Sequence, residues 1–207
     1  MSTIDLSSPT GGQRGPVEHG VRDQIVDAAR AHFSRFGYGK TTVADLAKAI
    51  GFSKAYIYKF FDSKQAIGEV ICANCLCVIT DEVDAAIADV PTASERLRRL
   101  FKALVEAGAR LFFQDRKLYA IASAAAQERW QPVLNYEDHI KQVVMRIVLE
   151  GRKSGEFERK TPLDETARGI YLVMRPYIDP LLLQHNLDLA AEAHVQLSSL
   201  ILRSLAP

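Results

Sequence analysis

A chain of 207 residues, 48% of them apolar and 25% charged, has the make-up of an ordinary soluble protein and the length for a small domain plus a larger one. A net charge of +1 removes bulk charge as an argument for nucleic acid. No apolar run reaches the roughly 18 residues of a membrane span. The first 20 residues lack the basic start and apolar stretch of a signal peptide, so the expectation is a cytoplasmic protein without membrane contact.

Charge is unevenly spread. Residues 1–65 hold nine Lys/Arg against six Asp/Glu, a net of +3, and the remainder holds 17 against 19, a net of −2. A basic head on a neutral body is the asymmetry a DNA-binding domain produces.

Residues 1–20 are rich in Ser, Thr, Gly and Pro and are expected to be a disordered tail, with Arg14 the one cation before Arg22. Val21, Ile25, Ala28, Ala29, Phe33 and Phe36 then recur at helical spacing, and Gly37 and Gly39 close that helix. Thr42 reads as an N-cap with Asp45 completing a capping box, opening a helix that runs to Ile50 and breaks at Gly51. Ser53 caps a third helix, expected to end near Phe61.

Ala47, Gly51 and Ile57, flanked by Leu46 and Phe60, have the spacing of a helix-turn-helix. A small residue lets the helices approach, a glycine makes the turn and an apolar residue pins the second helix. Ser53, Lys54, Tyr56, Tyr58 and Lys59 then lie on or beside the free face, where they reach phosphates and base edges. For Tyr58 two readings stand, a DNA contact and a partly core position, while Tyr56 and Lys59 are expected outside.

A fourth helix starts at Asp62 or Ser63, with Gln65 reaching back over its first turn, and runs towards Ala88. Lys64 in that first turn opposes the helix dipole. Two readings stand: a solvated lysine, or a clamp for a DNA phosphate sitting at the helix end. Cys72, Cys75 and Cys77 fall within this helix. Small core residues, a thiol sensor and a metal site all compete there, but an odd, clustered set does not suit a disulfide framework and one ion would not gather all three.

Beyond Pro91, Thr92 with Glu95 opens a helix to about Phe113, followed by helices over Lys117–Arg129, Val133–Ser154 and from Pro162 or Asp164 past Met174. That last one is interrupted at Pro176 and Pro180, and a final helix runs from about Leu187 to Leu205. The expectation is an all-α chain of about nine helices: a tail over 1–20, a helix-turn-helix domain over 21–66 and a ligand-binding and dimerisation domain over 67–207.

The block from Arg22 to Gln65 resembles the N-terminal domain of TetR-family transcriptional regulators. The resemblance rests on the Phe33-x-x-x-Gly37-Tyr38 ending of the first helix, the Thr41-Thr42 pair, the Ala47-x-x-x-Gly51 turn and the Tyr58-x-x-Phe61-x-Ser63-Lys64 run. It implies a homodimeric repressor on a palindromic operator, released by a small molecule, and the mixed aromatic and aliphatic candidates of the body suit a hydrophobic or amphipathic inducer. It implies that Thr42 and Lys64 touch phosphate and that Ser53, Lys54, Tyr56, Tyr58 and Lys59 face the major groove. Tyr56 departs from the small residue usual in the family, which suggests packing on a thymine methyl or ribose there.

Two heads read two half-sites only when held about 34 Å apart, so the body must pair. Ile170, Leu172, Val173, Leu181–Leu183, Leu197, Leu200, Ile201 and Leu205 make the last two helices the expected interface. Phe112, Phe113, Tyr119, Trp130, Tyr136, His139, Tyr171 and Arg175 are candidates to line a ligand pocket, Arg175 alternatively pairing with Asp179. No cofactor or metal is expected. An enzyme is disfavoured, since no Ser/His/Asp arrangement, phosphate loop or metal spacing is present and the five histidines are scattered. An architectural DNA binder without ligand, and an activator in place of a repressor, remain alternatives.

Overall fold

The computed structural model of the protein describes residues 16–207, and among them the chain is all-helical. The helices are α1 (Pro16–Phe36), α2 (Val43–Ile50), α3 (Lys54–Ile57), α4 (Lys64–Ala88), α5 (Ala93–Gln114), α6 (Arg116–Gln127), α7 (Gln131–Ser154), α8 (Leu163–Met174), α9 (Pro180–Leu183) and α10 (Leu187–Ser204). A 3₁₀ turn, Arg175–Tyr177, joins α8 to α9. The expected tail falls mostly outside the described residues, but Pro16–Gly20 belong to α1, which begins on a proline whose fixed φ and missing N–H suit a first helical turn. Pro132 likewise sits inside the first turn of α7, which starts two residues before the expected Val133.

The ends follow local chemistry. Thr42 and Asp45 form the complete capping box of α2, Ser53 accepts from Tyr56 N–H at α3 and Ser63 accepts from Ala66 N–H at α4. Gln65 does not reach back; its amide donates to Glu69 at 2.9 Å. Thr92 caps α5. The same helix end also receives Glu156, whose carboxylate accepts from Ala93 N–H, Ser94 N–H and Ser94 Oγ at 2.9–3.0 Å. Burial works against that charge, but these donors outweigh it and hold the Glu156 carboxyl below its ordinary range.

Two hydrophobic clusters form the interior. One gathers Ile25, Phe33, Leu46, Ile57, Phe61 and the first half of α4 with Leu118, Ile121, Ala125, Trp130 and Val133. The other gathers the second half of α4, at Val83 and Ile87, with the apolar faces of α5, α7, α8 and α10. The long helix α4 thus contributes its start to the head and its end to the body, and α6 lies between them.

Candidate nucleic-acid interface and cavity

The helix-turn-helix is built as its spacing requires. Gly51 turns with φ +79° and its N–H bonds to Ala47 O, closing α2 in a conformation that favours glycine. Val43, Leu46, Ala47, Ile57 and Phe61 are buried beneath the turn. The second helix is shorter than expected, because regular bonding stops at Ile57 and Tyr58–Phe60 form a turn.

That ending decides which side chains face out. Ser53, Lys54, Tyr58 and Lys59 are exposed, Tyr58 at 43%. Tyr56 is half-buried, its ring edge-to-face with Phe52 at 5.0 Å and with Phe60 at 5.3 Å. Tyr58 stands free, and the expectation that Tyr56 lies outside is corrected: it is half-buried in an aromatic ladder. Lys59 Nζ lies 5.6 Å from the Tyr56 ring and Lys54 Nζ 5.7 Å from the Tyr58 ring, within cation–π reach, so both ammonium groups are held at the surface. Thr42 is exposed; its hydroxyl accepts from Asp45 N–H and donates to the Asp45 carboxylate at 2.7 Å. Those bonds hold the Asp45 carboxyl below its ordinary value.

Lys64 has a partner that the sequence did not announce. Its Nζ donates to Tyr38 O at 3.0 Å and sits 4.2 Å from the Tyr38 ring centre. The cation thus ties the start of α4 to the loop after α1 and has donors to spare, since an ammonium carries three. Arg22 makes a similar strut, donating to Phe60 O at 3.2 Å while lying over the Phe61 ring.

Trp130, expected to line a ligand pocket, is 2% exposed in the head's own cluster. Its ring packs edge-on to Tyr38 at 5.5 Å, and its Nε1–H donates to Glu128 at 2.9 Å. Burial, with Glu128 and Glu69 adding to it, pushes the Tyr38 phenol up to about 12. A Cβ on Gly68 of α4 would lie 2.9 Å from the Trp130 ring, so only glycine fits there. A glycine inside a helix, costing about 1 kcal/mol against alanine, is a sequence signal of such a close approach, and Gly68 is the fifth residue of α4. Ser34 of α1 donates to Asp115 at 2.6 Å, and Lys117 donates to Arg35 O, so α6 is fastened to α1 by polar bonds as well.

The body holds two small adjoining cavities, of about 50 Å³ and about 20 Å³. Tyr136, Val133, Ile178 and Pro180 line both. The larger reaches Leu76 and Ile79 of α4 and Tyr119, and the smaller reaches Tyr171. Tyr119 donates to Pro180 O at 2.6 Å, which ties α9 to α6 beside the larger cavity. Burial pushes the Tyr119 and Tyr171 phenols up to about 12 and raises that of Tyr136 as well.

The other candidates lie elsewhere. Phe112 is half-buried at the α5–α6 corner against Tyr119, and Phe113 is 72% exposed beside it. His139 pairs with Asp84 at 3.3 Å, and Arg175 pairs with Asp179 at 3.3 Å. Cys72 is buried and borders the larger cavity, Cys75 is partly buried and Cys77 is exposed. Burial pushes the Cys72 thiol up to about 12, which disfavours the reactive thiolate. Among the described residues no three His, Cys, Asp or Glu side chains gather as metal ligands.

The apolar residues of the last helices divide into two sets. Ile170, Leu183, Ile201 and Leu205 are internal core. Leu172 and Leu200 are each 55% exposed, and Val173, Leu182 and Leu189 are exposed too.

Two family models match the chain: one described as bacterial regulatory proteins, tetR family, over residues 25–70, and one described as tetracyclin repressor-like, C-terminal domain, over residues 93–197. The biofilm operon icaADBC HTH-type negative transcriptional regulator IcaR of Staphylococcus aureus is 45% identical over 49 residues, 24% of this chain and 26% of that protein. The chain thus spans about a quarter of the length of that curated relative. The fatty acid degradation regulator FadR from Bacillus halodurans superposes with a TM-score of 0.65 at 19% identity, covering 92% of this chain and 97% of that one. The transcriptional regulator FadR from Bacillus subtilis in complex with stearoyl-CoA gives 0.61 at 21% identity, with 89% and 97% covered. At these identities the likeness is one of fold. Among the described residues no helix is long and apolar enough to cross a membrane.

Proposed function

The chain belongs to the TetR family of bacterial regulatory proteins, a family of transcription regulators and not of enzymes, and from that premise we propose that it is a ligand-responsive repressor. It acts as a homodimer on a palindromic operator. The observation that carries this reading is the exposed set Ser53, Lys54, Tyr58 and Lys59 on a recognition helix anchored by buried Ile57. Lys54 and Lys59 supply donors to base edges or phosphates, and Tyr58 offers its ring and hydroxyl to the groove. Tyr56 sets the height of the helix from below. Thr42 and Lys64 bound the same face at two helix starts, and Lys64 meets phosphate with the donors that Tyr38 leaves unused.

Pairing runs through the exposed apolar residues of α8 and α10, Leu172, Val173, Leu189 and Leu200. The inducer is a small hydrophobic or amphipathic molecule that enters the cavity at Tyr136. A space of about 50 Å³ holds little more than a water, so entry requires α9 and the 3₁₀ turn to move and displaces Leu76 and Ile79 on α4. Because α4 also carries Ile67, Gly68 and Ile71 into the head, that displacement reorients the recognition helix.

Selection of binding sites from a random duplex pool tests the core of the reading. Inverted repeats are expected, and a single unrepeated site would overturn the paired arrangement. Lys59→Ala is expected to weaken the selected site by about 1–3 kcal/mol without changing the melting temperature. Leu200→Glu is expected to give monomers in sedimentation and to lose operator binding.

A further inference from the structure

Tyr136 is the one polar side chain that lines both cavities of the body. The larger cavity is otherwise walled mainly by hydrocarbon, from residues such as Leu76, Ile79, Leu104 and Leu183. Its other phenol, Tyr119, is already engaged, since its hydroxyl donates to Pro180 O at 2.6 Å. The Tyr136 hydroxyl makes no hydrogen bond among the described residues, and burial keeps it protonated, with a proton to give. It is not sealed off. Among the described residues, the side-chain atoms both closed in and without a partner are Arg152 Nε and Ser198 Oγ. A donor that keeps accessible surface inside the body is therefore left for an acceptor, where a buried tyrosine hydroxyl ordinarily has one.

The charges around the cavities restrict what can carry that acceptor. Among the described residues lining them none is Lys, Arg or His, and the smaller cavity is bordered by two carboxylates, Glu137 and Asp179. Lys141 and Arg175 pair with these at 3.5 Å and 3.3 Å, but their side chains are 41% and 47% exposed. An anionic head would thus meet carboxylates with no cation in the lining, and an ion without a counter-charge is costly to bury. A cationic head would find both carboxylates already paired, and Asp179 also accepts from Leu181 N–H at 2.9 Å as the cap of α9. An uncharged oxygen costs least, because the phenol bonds to it and no ion loses its water.

We propose that the inducer is an uncharged, largely hydrocarbon molecule with an oxygen acceptor, such as a ketone, an ester or an alcohol, and that this oxygen accepts from the Tyr136 hydroxyl. The hydrocarbon part occupies the larger cavity. The inference rests on the reading of this cavity as the inducer site and narrows it to one chemical class.

Calorimetric titration of the full chain with hexyl methyl ketone, octanoate and octylamine, three heads at equal carbon number, tests the class. The ketone is expected to bind saturably and about tenfold more tightly than either ion. Tyr136→Phe is expected to weaken the ketone by about three- to tenfold, the loss of one hydrogen bond, and to leave the affinity for ethylbenzene, which has no such acceptor, unchanged. The same substitution removes an unpartnered hydroxyl and is expected to keep or raise the melting temperature of the free protein, which separates loss of the bond from loss of the fold. Ala122→Leu narrows the larger cavity and is expected to abolish binding. If it does, but an ion binds as tightly as the ketone or Tyr136→Phe changes nothing, the uncharged class is overturned and the cavity stands. Binding indifferent to Ala122→Leu, or no saturable binding of any of the three, overturns the cavity as the site and the proposal with it. Ketone binding in the cavity without release of the operator supports the ligand class and overturns the inducer role.

Discussion

Around Trp130 the interior is closed, and around Tyr136 it is not. In the head, Trp130, Tyr38, Phe33 and Gly68 leave no room for one added methyl, and two of these four residues lie beyond the domain over 21–66. In the body, Tyr136 lines cavities of about 50 Å³ and about 20 Å³, as does Pro180 of α9. Close packing resists deformation and passes a push along as rigid displacement, whereas a gap offers alternative arrangements at low cost. The difference divides α4: its first half is packed into the head, and its middle borders the larger cavity.

The largest test of this division is Trp130→Ala, expected to cost about 3–5 kcal/mol in thermal or chemical denaturation. If the loss is below about 1 kcal/mol, the head is not closed by the body and the comparison fails. Next is Gly68→Ala, which places a methyl against the Trp130 ring and is expected to cost about 1–3 kcal/mol despite alanine's better helix propensity. Ala122→Val adds two carbons, twice the bulk, beside the larger cavity, and there the expected change is within about 1 kcal/mol of zero, of either sign. A Gly68→Ala variant as stable as Ala122→Val would show that the two regions do not differ in packing.

The smallest effect concerns the polar seam at the start of α5. The folded protein holds the Glu156 carboxyl below its ordinary value, so its stabilisation is present above the unfolded carboxyl value of about 4.3 and is lost as pH falls through the lower folded value. Melting temperatures between pH 5 and pH 3 are expected to fall less steeply in Glu156→Gln than in the wild type. Equal slopes would mean that the seam does not discriminate the charged form.

The helix-turn-helix was legible because its instructions are local: Thr42 with Asp45, Ala47 with Gly51 and Ser53 with Tyr56 all act within four residues. The half-burial of Tyr56 was not, because it depends on the rings of Phe52 and Phe60, which lie outside the short helix ending at Ile57. Trp130 read as a pocket residue because nothing near it in sequence tells of Tyr38 and Gly68. Arg22 drew no notice for the same reason; its meaning lies in Phe60 O.

The sequence by itself determined the helices, their order, their caps and the reading head, since backbone hydrogen bonding and helical periodicity are settled by neighbours three or four residues away. Only the tertiary structure decided what each side chain meets: that Lys64 is tied to Tyr38 O, that Trp130 closes the head, that space remains at Tyr136 and that its hydroxyl is left without a partner. Those outcomes depend on contacts between residues far apart in the chain, where volume and unsatisfied polar groups, not periodicity, choose the arrangement.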